Sequence, residues 1–117
     1  MKIELRDGLA FMREVEEPVI TDVQAVLDLL ATVGYEFDVA KLVLPKEAFV
    51  EDFFRLSSGL AGDVTQKFVN YGFQIAIVGD FSHYNSKPLH DYMYECNHGR
   101  HLFFVSDEEA AVEKLRR

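Results

Sequence analysis

Gln74-Ile75-Ala76-Ile77-Val78-Gly79-Asp80 decides how the chain folds. After Gln74, four apolar residues run without interruption and stop at a glycine and an aspartate. A continuous apolar run of that length, closed by turn residues, reads as a strand covered on both faces. Strands of that kind belong to α/β sheets, so helical patterns are expected on either side of it.

Those patterns are present. Downstream, Ser86 is an N-cap with Pro88 in the first turn, and Leu89, Tyr92, Met93 and Cys96 recur at helical spacing until Asn97 and Gly99. Leu102-Phe103-Phe104-Val105 is a further buried strand. Ser106 with Glu109 predicts a capping box opening a last helix with Ala110, Ala111 and Leu115. Upstream, Lys41-Leu42-Val43-Leu44 is a short strand closed by Pro45. Thr21 and Gln24 predict a capping box for a helix carrying Val23, Val26, Leu27, Leu30 and Val33, with Gly34 as its stop. At the start, Asp7-Gly8 between two apolar runs predicts a tight hairpin whose second arm extends from Leu9 to about Val15. The expectation is one α/β domain over residues 1–117. Its sheet is mixed but mainly parallel, with an N-terminal β-hairpin and about four helices.

Residues 50 to 71 admit two readings. Val50, Phe53, Phe54, Ser57, Leu60, Ala61, Val64, Phe68 and Tyr71 step by three or four, as in one long amphipathic helix that turns Ser57 into the core. Gly59 and Gly62 would then lie on its outer side, each costing roughly 1 kcal/mol relative to Ala. The alternative is a restart near Ser57-Ser58-Gly59, which leaves free amides at a helix start.

The bulk properties narrow the function. Twelve basic and twenty acidic residues give a net charge of −8, which argues against nucleic acid and anionic membrane as partners. A single cysteine, Cys96, permits no internal disulfide and fits a reducing, cytoplasmic setting. No signal peptide or membrane span is expected. His83, His90, Cys96, His98 and His101 are spaced so that their side chains diverge, and neither metal nor cofactor is expected. No Gly-x-Ser-x-Gly elbow or Gly-rich phosphate loop occurs, so catalysis is the less favoured reading.

Ser57-Ser58-Gly59-Leu60, followed by an apolar helix and then by the Phe104 to Ala110 strand-to-helix segment, resembles the STAS domain of bacterial anti-sigma-factor antagonists. That resemblance implies a regulatory module whose serine is phosphorylated by a partner kinase. Ser57, Ser58, Gly59 and Gly62 are then the partner-binding or phospho-switch candidates. Across the whole chain, Ile20-Thr21-Asp22-Val23-Gln24, Glu51-Asp52-Phe53-Phe54, Gly59-Leu60-Ala61-Gly62 and Val78-Gly79-Asp80-Phe81-Ser82 resemble the bacterial domain-of-unknown-function family 4180, which implies no activity. Apart from either resemblance, ligands of open α/β sheets bind beyond the carboxyl ends of the strands. Lys46, Glu47, Asp80, Ser82, Ser86 and Lys87 are the candidates for such a small-ligand cleft. A homodimer built on a sheet edge or helix face is a third possibility.

Overall fold

A computed structural model describes residues 1–116. Five strands form one sheet in sequence order: β1 (Lys2–Arg6), β2 (Leu9–Arg13), β3 (Lys41–Pro45), β4 (Gln74–Val78) and β5 (Leu102–Val105). β1 and β2 are antiparallel, and every later neighbour is parallel. Four helices complete the fold: α1 (Val23–Phe37), α2 (Leu60–Asn70), α3 (Lys87–Asn97) and α4 (Glu108–Leu115). The mixed α/β sheet with its leading hairpin is therefore the architecture that the sequence pattern predicts.

Topology dictates which face each helix covers. From β2 to β5 the chain always steps to the next strand in one direction. Right-handed crossovers then deliver α1, α2 and α3 to the same face. There, Val26, Leu30 and Val33 of α1, Val64 and Phe68 of α2 and Leu89 of α3 pack on Leu42, Leu44, Ile75 and Ile77. The opposite face carries Leu9, Phe11, Val43, Ala76 and Phe103, and α4 reaches it with Ala111 and Leu115. This one short helix does not span the sheet. Over β2, Arg6 and Arg13 lay their guanidinium groups 5.1 and 4.9 Å from the Phe11 ring centre. Arg13 also pairs with Glu108, tying the hairpin to α4.

Several element limits differ from the sequence expectation. The first helix is capped by Asp22 rather than Thr21, with the Asp22 carboxylate accepting from the Ala25 amide at 2.8 Å. Gly34 does not stop it. The helix runs on to Phe37 and ends at Asp38, which takes the left-handed conformation itself. Asp107, not Ser106, caps the last helix in the same manner. In both cases a carboxylate one residue further on outcompetes a hydroxyl as acceptor at a helix start. Ser86 caps α3 as expected.

The long helix over 50–71 is not formed. The Val19 and Ile20 amides bond Ala48 O, and the Val50 amide bonds Ile20 O, which holds Phe49 and Val50 extended. Two 3-10 turns follow, Glu51–Phe54 and Leu56–Ser58. Gly59 then adopts φ +80°, a left-handed conformation that a side chain disfavours, and only after it does α2 begin. The chain restarts at this point, as the second reading has it, but Gly59 rather than a serine holds the N-cap position, with no side-chain cap bond. Ser57 is consequently exposed rather than turned into the core.

Candidate functional site

The broken segment is fixed by aromatic packing. Phe49, Phe53 and Phe54 are buried and contact one another, with Phe49 and Phe53 ring centres 4.7 Å apart and Phe53 and Phe54 5.1 Å apart. Anchoring three rings within six residues leaves the intervening polar residues outside. Ser58 stabilises the turn locally: its hydroxyl donates to Asp52 O at 2.7 Å and accepts from the Leu60 amide at 3.2 Å. It thus pairs an amide that a continuous helix would have bonded, and adds a second bond to Asp52 O, which also accepts from the Arg55 amide. Ser57 makes no hydrogen bond among the described residues.

Across from this segment lies the loop between β4 and α3. Tyr84 stacks on Phe54 at 5.4 Å with an interplanar angle of 22°, and its hydroxyl donates to Glu51 at 2.8 Å. Partial burial and the Glu51 carboxylate both disfavour its phenolate, so the Tyr84 pKa is raised well above the ordinary value. Lys46, leaving β3, places its ammonium 5.0 Å from the Phe54 ring centre and 5.2 Å from that of Tyr84, with Glu51 at 3.9 Å. Such an arrangement combines ion pairing with attraction to the ring faces.

Between the two segments runs an open groove of about 550 Å³. Phe54, Leu56, Tyr84 and Pro88 supply apolar walls. Glu51, Asp52, Arg55, Ser57 and Ser86 supply polar groups, and Arg55 pairs with Asp52 at 2.8 Å. Ser57 from one set of sequence candidates and Ser86 from the other therefore line one hollow, while Lys46 supports its aromatic wall from behind. Ser58, Gly59 and Gly62 are exposed on the adjoining surface.

The remaining candidates lie elsewhere. Glu47 borders a separate hollow with Arg13, Glu14 and Glu108. Asp80 accepts from both the amide and the hydroxyl of Ser82, at 2.9 and 2.6 Å, closing a tight loop after β4. Those bonds, the Ser82 hydroxyl first, lower the Asp80 pKa. Lys87 pairs with Asp91 one turn along α3 at 2.7 Å.

The histidines are spread over separate partners. His83 lies on the Tyr84 ring, His90 bonds Tyr84 O, His98 bonds Tyr94 O and His101 bonds Phe73 O. No three His, Cys, Asp or Glu side chains converge as a metal site among the described residues. No helix among them is long and apolar enough to cross a membrane.

Sequence reasoning missed the groove's walls. Tyr84, Leu56 and Pro88 were unremarkable loop or core residues in the pattern. The available signal was the pair Phe81 and Tyr84, two aromatics in a loop that otherwise holds polar turn formers.

Fold and groove together define a mixed α/β domain with an apolar-walled furrow beyond one end of its parallel strands. The family model described as "Domain of unknown function (DUF4180)" matches residues 9–115, and the chain belongs to that family. No curated protein matches it. Among solved structures, the NMR structure of the protein TM1081 is similar in fold, with a TM-score of 0.52 and 13% identity, covering 98% of this chain and 87% of that one.

Proposed function

We propose that the chain is a non-catalytic, STAS-like regulatory module that binds a partner protein through the groove beside Ser57 and is switched by phosphorylation of that serine in the cytoplasm. The observation that carries this reading is the broken backbone at 55–59, which exposes an unbonded Ser57 hydroxyl at the rim of an apolar-walled groove. A phosphate there adds about −1.5 to −2 charges. It competes with Asp52 for Arg55 and stands against Glu51, so it alters the surface a partner meets. Gly62 supports the same face: nothing lies within 4 Å of where its side chain would begin. The chain's own packing therefore gives no reason for a glycine in that helix.

The test is phosphopeptide mass spectrometry of protein from its native cell, paired with affinity capture by wild type, Ser57→Asp and Leu56→Asp. Phosphate on Ser57, and a partner held by wild type but released by both variants, is expected. An unmodified Ser57 together with a partner indifferent to both substitutions would overturn the reading.

A second reading, a small-ligand protein or enzyme, is favoured by one observation: the groove's volume falls in the range of small-molecule pockets. A thermal-shift screen against metabolites separates the two. Stabilisation by a compound, lost in Ser86→Trp, supports the ligand reading over the partner reading.

A further inference from the structure

The two edges of the sheet are finished differently. At β5 the Asn97 side chain acts as a substitute strand: its amide accepts from Phe104 N–H at 2.7 Å and donates to Phe104 O at 3.3 Å. At the other edge, β1 is five residues long, and no proline or bulge interrupts its register. Such an open edge is a template for another strand.

The hairpin shows which groups point outward. Asp7 and Gly8 form a two-residue turn, both with positive φ, of 54° and 80°. The residues flanking such a turn, Arg6 and Leu9, are a hydrogen-bonded pair, and bonded pairs recur at every second position. Glu4 and Lys2 therefore direct their peptide groups to β2, while Ile3 and Leu5 direct theirs to the free edge.

The geometry points to a second copy of this chain as the occupant: β1 pairs antiparallel with its own symmetry mate about a two-fold axis at Ile3, giving one ten-stranded sheet. Directly opposed residues must share a face, so the axis passes through a residue, and three positions can be compared. An axis at Glu4 sets Glu4 against Glu4 and Lys2 against Arg6, all like charges, which is unfavourable. An axis at Leu5 sets Glu4 against Arg6, unlike charges, but sets Ile3 against Asp7, a turn residue in the left-handed conformation, and leaves Met1 beyond the paired stretch. An axis at Ile3 sets Lys2 against Glu4 twice, Ile3 against Ile3, and Met1 against Leu5. Met1 and Leu5 are 62% and 46% exposed in the single chain, the two large apolar side chains on this edge left open to water. Of the two registers that oppose unlike charges, the one at Ile3 is the one that covers both.

Sedimentation velocity of the full chain over a wide concentration series tests this. Wild type should pass from one to two chain masses. Ile3→Pro removes an outward amide and no bond to β2, so it should remain monomeric with unchanged far-UV circular dichroism. Lys2→Glu, a change at an exposed side chain, should weaken the dimer by about tenfold in Kd, because two attractive pairs become repulsive. That variant also reports the register: an axis at Glu4 would instead place the new carboxylate opposite Arg6 and tighten the dimer. A wild type that stays monomeric throughout, or a dimer that Lys2→Glu leaves unchanged or tightens, would overturn the proposal.

Discussion

Lys46 crosses the backbone at Gly79 so closely that a Cβ there would lie 2.6 Å from the Lys46 Cβ and 3.1 Å from its Cδ. Both residues follow paired strand ends, since Pro45 and Val78 are in register. The missing side chain lets Lys46 lie flat and reach the rings of Phe54 and Tyr84. Gly79→Ala must push the base of Lys46 aside, not merely its flexible tip. A cost of about 1–3 kcal/mol in urea unfolding is expected. Lys46→Met keeps the stem and removes only the charge, so it should cost less, about 0.5–1 kcal/mol. Equal losses for the two variants would contradict this account.

The glycines at the start of α2 should respond in opposite directions. Gly62 lies within the helix with open space around it, so Gly62→Ala should stabilise the fold by roughly 0.5–1 kcal/mol. Gly59 also faces open space but holds φ +80°, so Gly59→Ala should destabilise it by about 1 kcal/mol or more. Chemical denaturation of the two variants side by side gives the signs. Retention of partner binding by a stabilised Gly62→Ala would show that close approach at this position is not required.

The contrast between these glycines shows what was legible in the sequence. Continuous apolar runs and the Asp7-Gly8 turn placed the strands, and helical spacing placed most of the apolar stripes, although Leu29 of α1 is buried where the spacing named Leu27. The same spacing misdescribed 50–59, since Val50, Phe53 and Phe54 satisfy a helical repeat while also fitting an aromatic cluster built on short 3-10 turns. The bridge between Ile20 and Phe49, a contact across nearly thirty positions that no local pattern reports, holds the chain extended where the helix was expected to begin. The groove was half legible for the same reason. Ser57 and Ser86 were each marked by local chemistry, but their meeting depends on Tyr84 stacking on Phe54, which only the tertiary fold brings about.

The Asn97 amide closes the β5 edge, a role its position at a helix end does not announce. Asn97→Ala leaves the Phe104 amide and carbonyl without that partner. The expected loss is about 1–3 kcal/mol, because β5 is buried and the edge groups are part-buried. Hydrogen exchange at Phe104 should accelerate in Asn97→Ala. Protection that persists unchanged would show that water or another group can substitute.

Cys96 should be a sluggish thiol. Burial raises its pKa, partly offset by the hydroxyl of Tyr92, and Glu95 nearby raises it further. The thiolate is the reactive form, so alkylation by iodoacetamide at neutral pH should be slow in the native protein and fast in urea. Native labelling at the rate of the unfolded chain would place Cys96 in a different environment.

Alkaline pH should loosen the contact between α2 and α3. Tyr92 projects from α3 to α2, where its hydroxyl meets that of Thr65 and donates to Ala61 O at 3.2 Å. Burial is the main cause that raises its pKa, and the raised value means that folding favours the neutral phenol. The unfolded chain ionises near about pH 10. The contribution of Tyr92 is therefore fully present below that pH and declines as pH rises toward the folded-state value. The decline approaches about 1.4 kcal/mol per pH unit at most. Tyr92→Phe should start lower at neutral pH, by about 1 kcal/mol for the lost hydrogen bonds, yet fall less steeply above pH 10. Urea midpoints at neutral and alkaline pH give both slopes, and parallel curves for wild type and variant would remove Tyr92 as the cause.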